Sequence, residues 1–254
     1  MRPLRLAICL VLLGVARGQA QPLASPALTQ SCRQLTVGFS ATLDRRAIGS
    51  AEQSSPRLLL QALYGPFEGL GLFGEIGLAN LSLQPHDASQ SNLTGSYRLA
   101  LGGGVAVRLH AFKRVGVFVH TGGRFFWFRN QPSARSSTNV AGTEFVRTLR
   151  LNYEWREADG YLGLAKALRA VYVYAGLSGN VVSRPERKSQ SVWVDGSLQS
   201  EVSERGAYQS GLRWLPYVGL DVSLPARLNL NVELRFRNSE DFKVNIGISQ
   251  TGAP

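Results

Sequence analysis

Beyond residue 34 the chain alternates apolar and polar residues one by one over long runs. In Tyr97–Leu109, Tyr97, Leu99, Leu101, Gly103, Val105, Val107 and Leu109 form one face, and Arg98, Ala100, Gly102, Gly104, Ala106 and Arg108 the other. Val115, Val117, Val119, Phe125 and Trp127 then stand opposite Gly116, Phe118, His120, Gly122 and Arg124. Leu228 to Arg237, Phe242 to Ser249 and Leu35 to Leu43 read the same way. A side-chain period of two predicts strands with unlike faces. These runs outlast the five or six residues common in soluble strands. They match the roughly nine to eleven that a tilted strand needs to cross a bilayer.

Alternation alone leaves open which face points in, and a soluble, lipocalin-like barrel is the competing reading. The polar face decides between them. It mixes Gly, Ser, Thr and Asn with isolated Arg and Glu, which suits a narrow barrel interior where large and small residues interdigitate. Charged residues make up 18% of the chain, below the roughly 25% of soluble domains. Lysine occurs only at 113, 166, 188 and 243. Past the first twenty residues no long apolar run occurs, and the mean hydropathy is -0.05. This excludes a helical membrane protein but not a membrane barrel, whose strands dilute every apolar residue with a polar neighbour.

The expected architecture is all-β, an antiparallel up-and-down transmembrane β-barrel of about ten strands, with eight as the alternative. The strands fall near 34–43, 57–64, 72–83, 95–109, 114–128, 143–167, 170–183, 207–223, 227–237 and 240–250. Short links at 111–114, 167–170 and 224–227 alternate with polar ones at about 44–56, 84–94, 129–142 and 184–206. Such barrels place short turns in the periplasm and longer loops outside, so both termini are expected in the periplasm. Residues 143–167 are long for one crossing, and Asp159-Gly160 resembles a turn. The expectation is one kinked strand whose Phe145–Trp155 half projects beyond the bilayer and pairs near Val192-Trp193-Val194.

Arg2 and Arg5, the apolar run Leu6–Ala16 and the small residues near Gly18-Gln19-Ala20 form the order of a cleavable secretory signal. The run is too short to span a bilayer. The expected organisation is a signal over 1–20, a periplasmic extension over 21–33, the barrel over 34–250 and a tail over 251–254. Export through the Sec pathway to the outer membrane follows. Cys9 leaves with the signal, so Cys32 has no partner for an internal disulfide, and no cysteine or histidine spacing suggests a metal.

Over roughly 35–250 the chain resembles the OmpA/OmpX-type class of small outer-membrane β-barrels of Gram-negative bacteria, in pattern rather than by a short motif. The resemblance implies a barrel of eight to ten strands, assembled by the outer-membrane insertion machinery, with function carried by external loops. The chain departs from many such barrels at its end, closing on Gly247–Pro254 without a terminal aromatic residue.

Candidate chemistry is sparse. His86 has Asp87, Ser89 and Ser91 near it in sequence, but a triad needs convergence in space. His110 falls at a turn and His120 on the lumen face. No hydrolase or metalloprotease signature occurs, and Gly102-Gly103-Gly104 lies inside a strand, where glycine permits close approach. No cofactor is expected. Phe125, Trp127, Tyr153 and Trp155 are expected in aromatic belts at the interfaces, and Phe126 and Phe128 point inward. The formal charge is +11 at pH 7, yet the arginines are dispersed and no nucleic-acid motif accompanies them. Lipopolysaccharide is the expected polyanion, met at a rim of Arg129, Arg135, Arg147, Arg184, Arg187 and Lys188. Inside, Glu75, Arg98, Arg108, Arg124, Arg150, Glu154, Arg213, Asp221, Glu233 and Arg235, with Lys243, are expected to form an ion-pair network bulked by Phe118, Tyr172, Tyr174 and Tyr217. Such a network fills the narrow lumen of a small barrel.

The functional expectation is a structural or surface-interaction barrel. The alternatives are a small porin-like channel and, third, a barrel enzyme such as a lipase, acyl-modifying enzyme or protease. Mass spectrometry of exported protein should find a new N-terminus between Gln19 and Ser25; an intact Met1 would refute the signal.

Overall fold

The computed structural model describes residues 33, 35–48, 51–85, 92–112, 115–239 and 241–251. The expected signal, Cys32 and the His86 group lie outside these residues. In chain order the strands are β1 (Leu35–Ile48), β2 (Ala51–Phe67), β3 (Leu70–Ala79), β4 (Ser82–Pro85), β5 (Leu93–Thr94), β6 (Arg98–Phe112) and β7 (Val117–Asn130). There follow β8 (Ser133–Val140), β9 (Thr143–Leu168), β10 (Val171–Val194), β11 (Ser197–Gln209), β12 (Arg213–Leu224), β13 (Leu228–Asn238) and β14 (Asp241–Thr251).

Hydrogen bonding closes these strands into a ring. β1 pairs with β2, β2 with β3, β3 with β6, β6 with β7, and β7 with β9. The circuit continues from β9 to β10, β12, β13 and β14, and returns from β14 to β1. Every pairing is antiparallel. The ring has ten members, with Phe39 opposite Leu60 on one side and Ile248 on the other. Ten, not eight, is the closed number.

The remaining strands prolong members of the ring. β3 and β4 face β2 in one register, Ala79 opposite Arg57 and Ser82 opposite Ser54. β7 and β8 do the same against β9, Asn130 opposite Tyr153 and Ser133 opposite Arg150. β11 continues β12 along β10 after a bulge at Ser210–Leu212, where the Ser210 hydroxyl accepts from the Val182 N–H at 2.7 Å. A bulge of this kind absorbs one extra residue and sharpens the twist.

Three expected loops are therefore largely strand. The described residues of 44–56 extend β1 and β2, residues 184–206 extend β10 and β11, and 129–142 holds the end of β7 and a β8 hairpinned to β9. The strands run on past the point where their outward residues stop being apolar, and that point had marked their expected ends. Ala141-Gly142 and Asp195-Gly196 turn two of these hairpins with positive φ at both residues, the geometry that matches strand twist. Val192, Trp193 and Val194 pair with Arg147, Val146 and Phe145 as expected.

The outward face settles the choice between soluble and membrane barrel. Leu58, Leu60, Leu72, Ile76, Leu99, Leu101, Leu162 and Leu164 are all exposed, Leu162 at 60%. The alternate positions, including Ser40, Thr42, Gln61 and Glu75, are buried. A soluble monomer does not wrap itself in a continuous apolar girdle, whereas lipid does not penalise one. The chain forms a transmembrane β-barrel. On β9 the girdle runs from Leu164 to Ala158, with Lys166 on the same face toward the short turns and Arg156 and Glu154 beyond its other edge.

A ring closed by hydrogen bonds should resist detergent until boiled. On gels the unheated protein should migrate faster than the boiled form; identical migration would count against the closed barrel.

Candidate functional site

Inward residues fill the barrel in layers. Toward the end bearing the short turns, His120, Tyr161, Tyr174 and Tyr217 pack ring against ring, with His120 centroids 5.9, 5.5 and 5.8 Å from those of Tyr161, Tyr174 and Tyr217. Glycine makes the room. A Cβ on Gly163 would collide with the Tyr217 hydroxyl, and one on Gly219 with the Tyr174 ring. Toward the hairpin end an apolar cluster of Leu59, Leu81, Leu83, Leu93, Phe126, Phe128, Tyr153 and Trp155 covers the lumen.

Between these layers lies a web of charge. Glu157, fully buried on β9, takes Arg57 Nη2 at 2.7 Å, Lys243 Nζ at 2.9 Å and Arg46 Nη2 at 3.3 Å. It also accepts from the Trp155 indole at 3.0 Å and from the Asn180 amide at 3.2 Å. Asp44 takes Arg46 at 2.6 Å and Arg57 at 3.0 Å. Asp159 takes the Asn180 amide at 2.6 Å and Lys243 at 3.5 Å. β1 and β9 are five steps apart in a ring of ten, so Arg46 and Glu157 join opposite walls. Guanidiniums also lie over aromatic faces, Arg57 4.4 Å from the Phe126 centroid and Arg46 5.1 Å from that of Trp155. Cations desolvated over π faces gain from the ring quadrupole.

Several expected lumen residues join this filling. Glu75 pairs with Arg124 at 2.7 Å and accepts from Gln61. Glu233 pairs with Arg235 at 2.7 Å, Asn231 donates to Asp221, and Arg213 pairs with Asp241. Arg108 lies 5.0 Å from the Phe118 centroid, nearer the short turns and away from the web. Phe118 in turn lies 6.4 Å from Tyr172.

Other positions are corrected. Arg150 and Glu154 face outward, and Tyr153 and Trp155, expected in an aromatic belt, face the lumen. Reading the two aromatic rings as lipid-facing inverts the phase of all of β9. Its inward row is Tyr153, Trp155, Glu157, Asp159 and Tyr161. Glu157 and Asp159 were missed for that reason, although Leu162 and Leu164 on the outward row carry the correct phase. Asp44, Arg46 and Arg57 were missed because they lie in or beside the expected 44–56 loop. Arg98 is exposed at the start of β6 rather than inside. Arg184, expected at the rim, is buried and reaches Gln53 at 3.0 Å and Glu186 at 3.0 Å.

Arg129, Arg135, Arg147, Arg187 and Lys188 are exposed at the hairpin end. Phe125 is exposed and Trp127 half-buried at the edge of the girdle. Beyond that edge Glu154 accepts from the Trp127 indole at 2.9 Å and pairs with Arg156 at 2.7 Å and Arg129 at 3.2 Å. The indole N–H and Arg156 hold the Glu154 carboxyl below its ordinary range. A depressed carboxylate keeps its stabilising pairing above the ordinary value and loses it only as pH falls through the lowered one. Among the described residues no cluster of His, Cys, Asp and Glu could hold a metal.

No family model matches the chain, and no curated protein matches its sequence. Among solved structures it is similar to the translocator domain of the autotransporter NalP from Neisseria meningitidis, at 13% identity and a TM-score of 0.44, over 89% of this chain and 91% of that one. It is similar to the transport unit of the autotransporter AIDA-I from Escherichia coli, at 10% identity and a TM-score of 0.41, over 91% and 93%. It is also similar to the outer membrane protease OmpT from Escherichia coli, at 8% identity and a TM-score of 0.42, over 86% and 95%.

Removing one partner from a buried, hydrogen-bonded web strands its counter-charges, at a cost of about 3–5 kcal/mol. Glu157→Gln should therefore lower the denaturant midpoint of unfolding strongly. Glu154→Gln, in an exposed cluster, should cost about 0–1 kcal/mol and leave the midpoint nearly unchanged. Equal shifts in the two variants would contradict a cross-lumen role for Glu157.

Proposed function

We propose that the chain is an outer-membrane β-barrel of a Gram-negative bacterium whose lumen is filled, and that it acts as a structural or surface-interaction protein through its hairpin end. Sec export and assembly by the outer-membrane insertion machinery accompany this reading. The short turns then lie in the periplasm and the hairpins outside. One observation carries the filled lumen: Arg46 and Arg57, from β1 and β2, are within 3.3 and 2.7 Å of Glu157 on the far side of the ring. Ions passing this level would have to part charges that satisfy one another in a dry interior, where each unpaired charge costs several kcal/mol.

The hairpin end is built for contact. β8, β9, β10 and β11 continue beyond the girdle as one sheet, exposed along nearly all of β8 and β11. Lipopolysaccharide is the proposed anionic partner of the exposed rim cations. Nucleic acid is not a proposed partner, and neither catalysis nor a cofactor is part of this reading, His120 being packed among tyrosines.

Purified barrel in a planar bilayer should show no large, steady openings. Removing the clamp with Arg57→Ala and Glu157→Ala together should give brief or stepwise ones. Steady, porin-like conductance of the unmodified protein would overturn the filled-lumen reading and establish a small channel in its place.

A further inference from the structure

The outer wall where β7, β9, β10 and β12 meet is unevenly covered. Ala158 and Gly160 on β9 and Gly179 on β10 leave a furrow of about 710 Å³, flanked by Leu177, Leu212 and Trp214. Packing does not demand glycine at 160. A Cβ there would meet nothing nearer than 3.9 Å, and glycine inside a strand costs stability. What the missing side chain leaves is space on the apolar surface.

Arginines begin where the furrow ends. Arg156 follows Ala158 on the same face, with Arg129 beside it across Glu154. Farther out, Arg187 and Arg205 stand directly opposite each other on β10 and β11, both exposed. Like charges in that arrangement repel. Arg187 donates to the Ser203 hydroxyl at 2.9 Å, but neither arginine has a carboxylate within ion-pair distance among the described residues; Glu154 is engaged with Arg129 and Arg156, and Glu186 with Arg184. A hollow of about 390 Å³ separates the facing arginines from Arg129. Asn152, the β9 partner of Arg187, lies four residues along the strand from Arg156. At about 3.4 Å per residue that is roughly 14 Å.

We propose that furrow and arginines together seat one membrane lipid with more than one phosphate. An acyl chain lies along Ala158, Gly160 and Gly179. One phosphate sits by Arg129 and Arg156, and a second bridges Arg187 and Arg205, where the guanidinium fork matches phosphate oxygens. The bridging phosphate also accounts for the opposed arginines. A free phosphate would use only the arginines. A lipid with a single phosphate would use the furrow and one arginine pair. The charge distribution favours the doubly phosphorylated lipid. The inference rests on the outer-membrane reading for where such a lipid is met.

The test is native mass spectrometry of the folded barrel in detergent. The probes are lipid A bearing two phosphates, its dephosphorylated form, phosphatidylglycerol and inorganic phosphate. Lipid A should be retained at least tenfold better than the dephosphorylated form, with phosphatidylglycerol between them. Arg187→Gln with Arg205→Gln should remove most of that advantage. Gly160→Leu, whose side chain projects into the furrow, should lower retention of every lipid while the unheated gel mobility stays that of a folded barrel. Equal retention of both forms of lipid A, an unaffected Gly160→Leu protein, or full competition by inorganic phosphate would each overturn the proposal. Conductance plays no part in this assay, so the filled lumen can fail while the lipid seat stands, and the reverse.

Discussion

A charge buried inside a barrel this narrow is costly unless it is paired, so it must find its opposite within the lumen. Glu157 embodies that constraint. It draws Arg57 and Lys243 from the far wall to within 2.9 Å and Arg46 to 3.3 Å. Much of the interior follows from it. Asn180 tilts toward both carboxylates of β9, and the guanidiniums rest on Phe126 and Trp155, whose own indole donates back to Glu157. A hydrophobic filling of equal volume could be as stable. What the ionic one supplies is directional: each donor and acceptor fixes which strand faces which.

The fold was legible because lipid-facing residues must be apolar and lumen-facing ones need not be. That asymmetry writes a two-residue period into Leu228–Arg237 and Phe242–Ser249. It placed every member of the ring. It could not mark where strands end, because beyond the bilayer both faces can be polar, as in Ser183–Gln190. Nor could it phase β9, where Tyr153 and Trp155 are apolar enough to pass for lipid-facing residues while their polar atoms look inward. The candidate site was half visible in consequence. Glu75, Arg124, Glu233 and Arg235 lie on strands with a clear period, and Glu157, Asp44 and Arg57 lie where the period fails.

Two copies of one dipeptide show why local signals give way here. Asp195-Gly196 turns a hairpin with positive φ at both residues. Asp159-Gly160 does not turn at all. Its aspartate is held by Asn180 and Lys243, its glycine looks out over the furrow, and its backbone pairs with Asn180 and Gly179 on β10. Turn propensity is worth little against a ladder bonded on both sides. At 195–196 there is no such competitor.

The pairing of β1 with β14 sets Thr36 beside Thr251, which constrains how the chain can be made. The first strand delivered waits for the last. Until β14 arrives, β1 and the newest strand each present an unbonded edge, and such edges invite pairing with other chains. The contacts that close the ring are also the longest in sequence, the kind that folds slowly. A chain of this design keeps two open edges until its seam closes, and that interval is when it is most exposed to pairing with strangers.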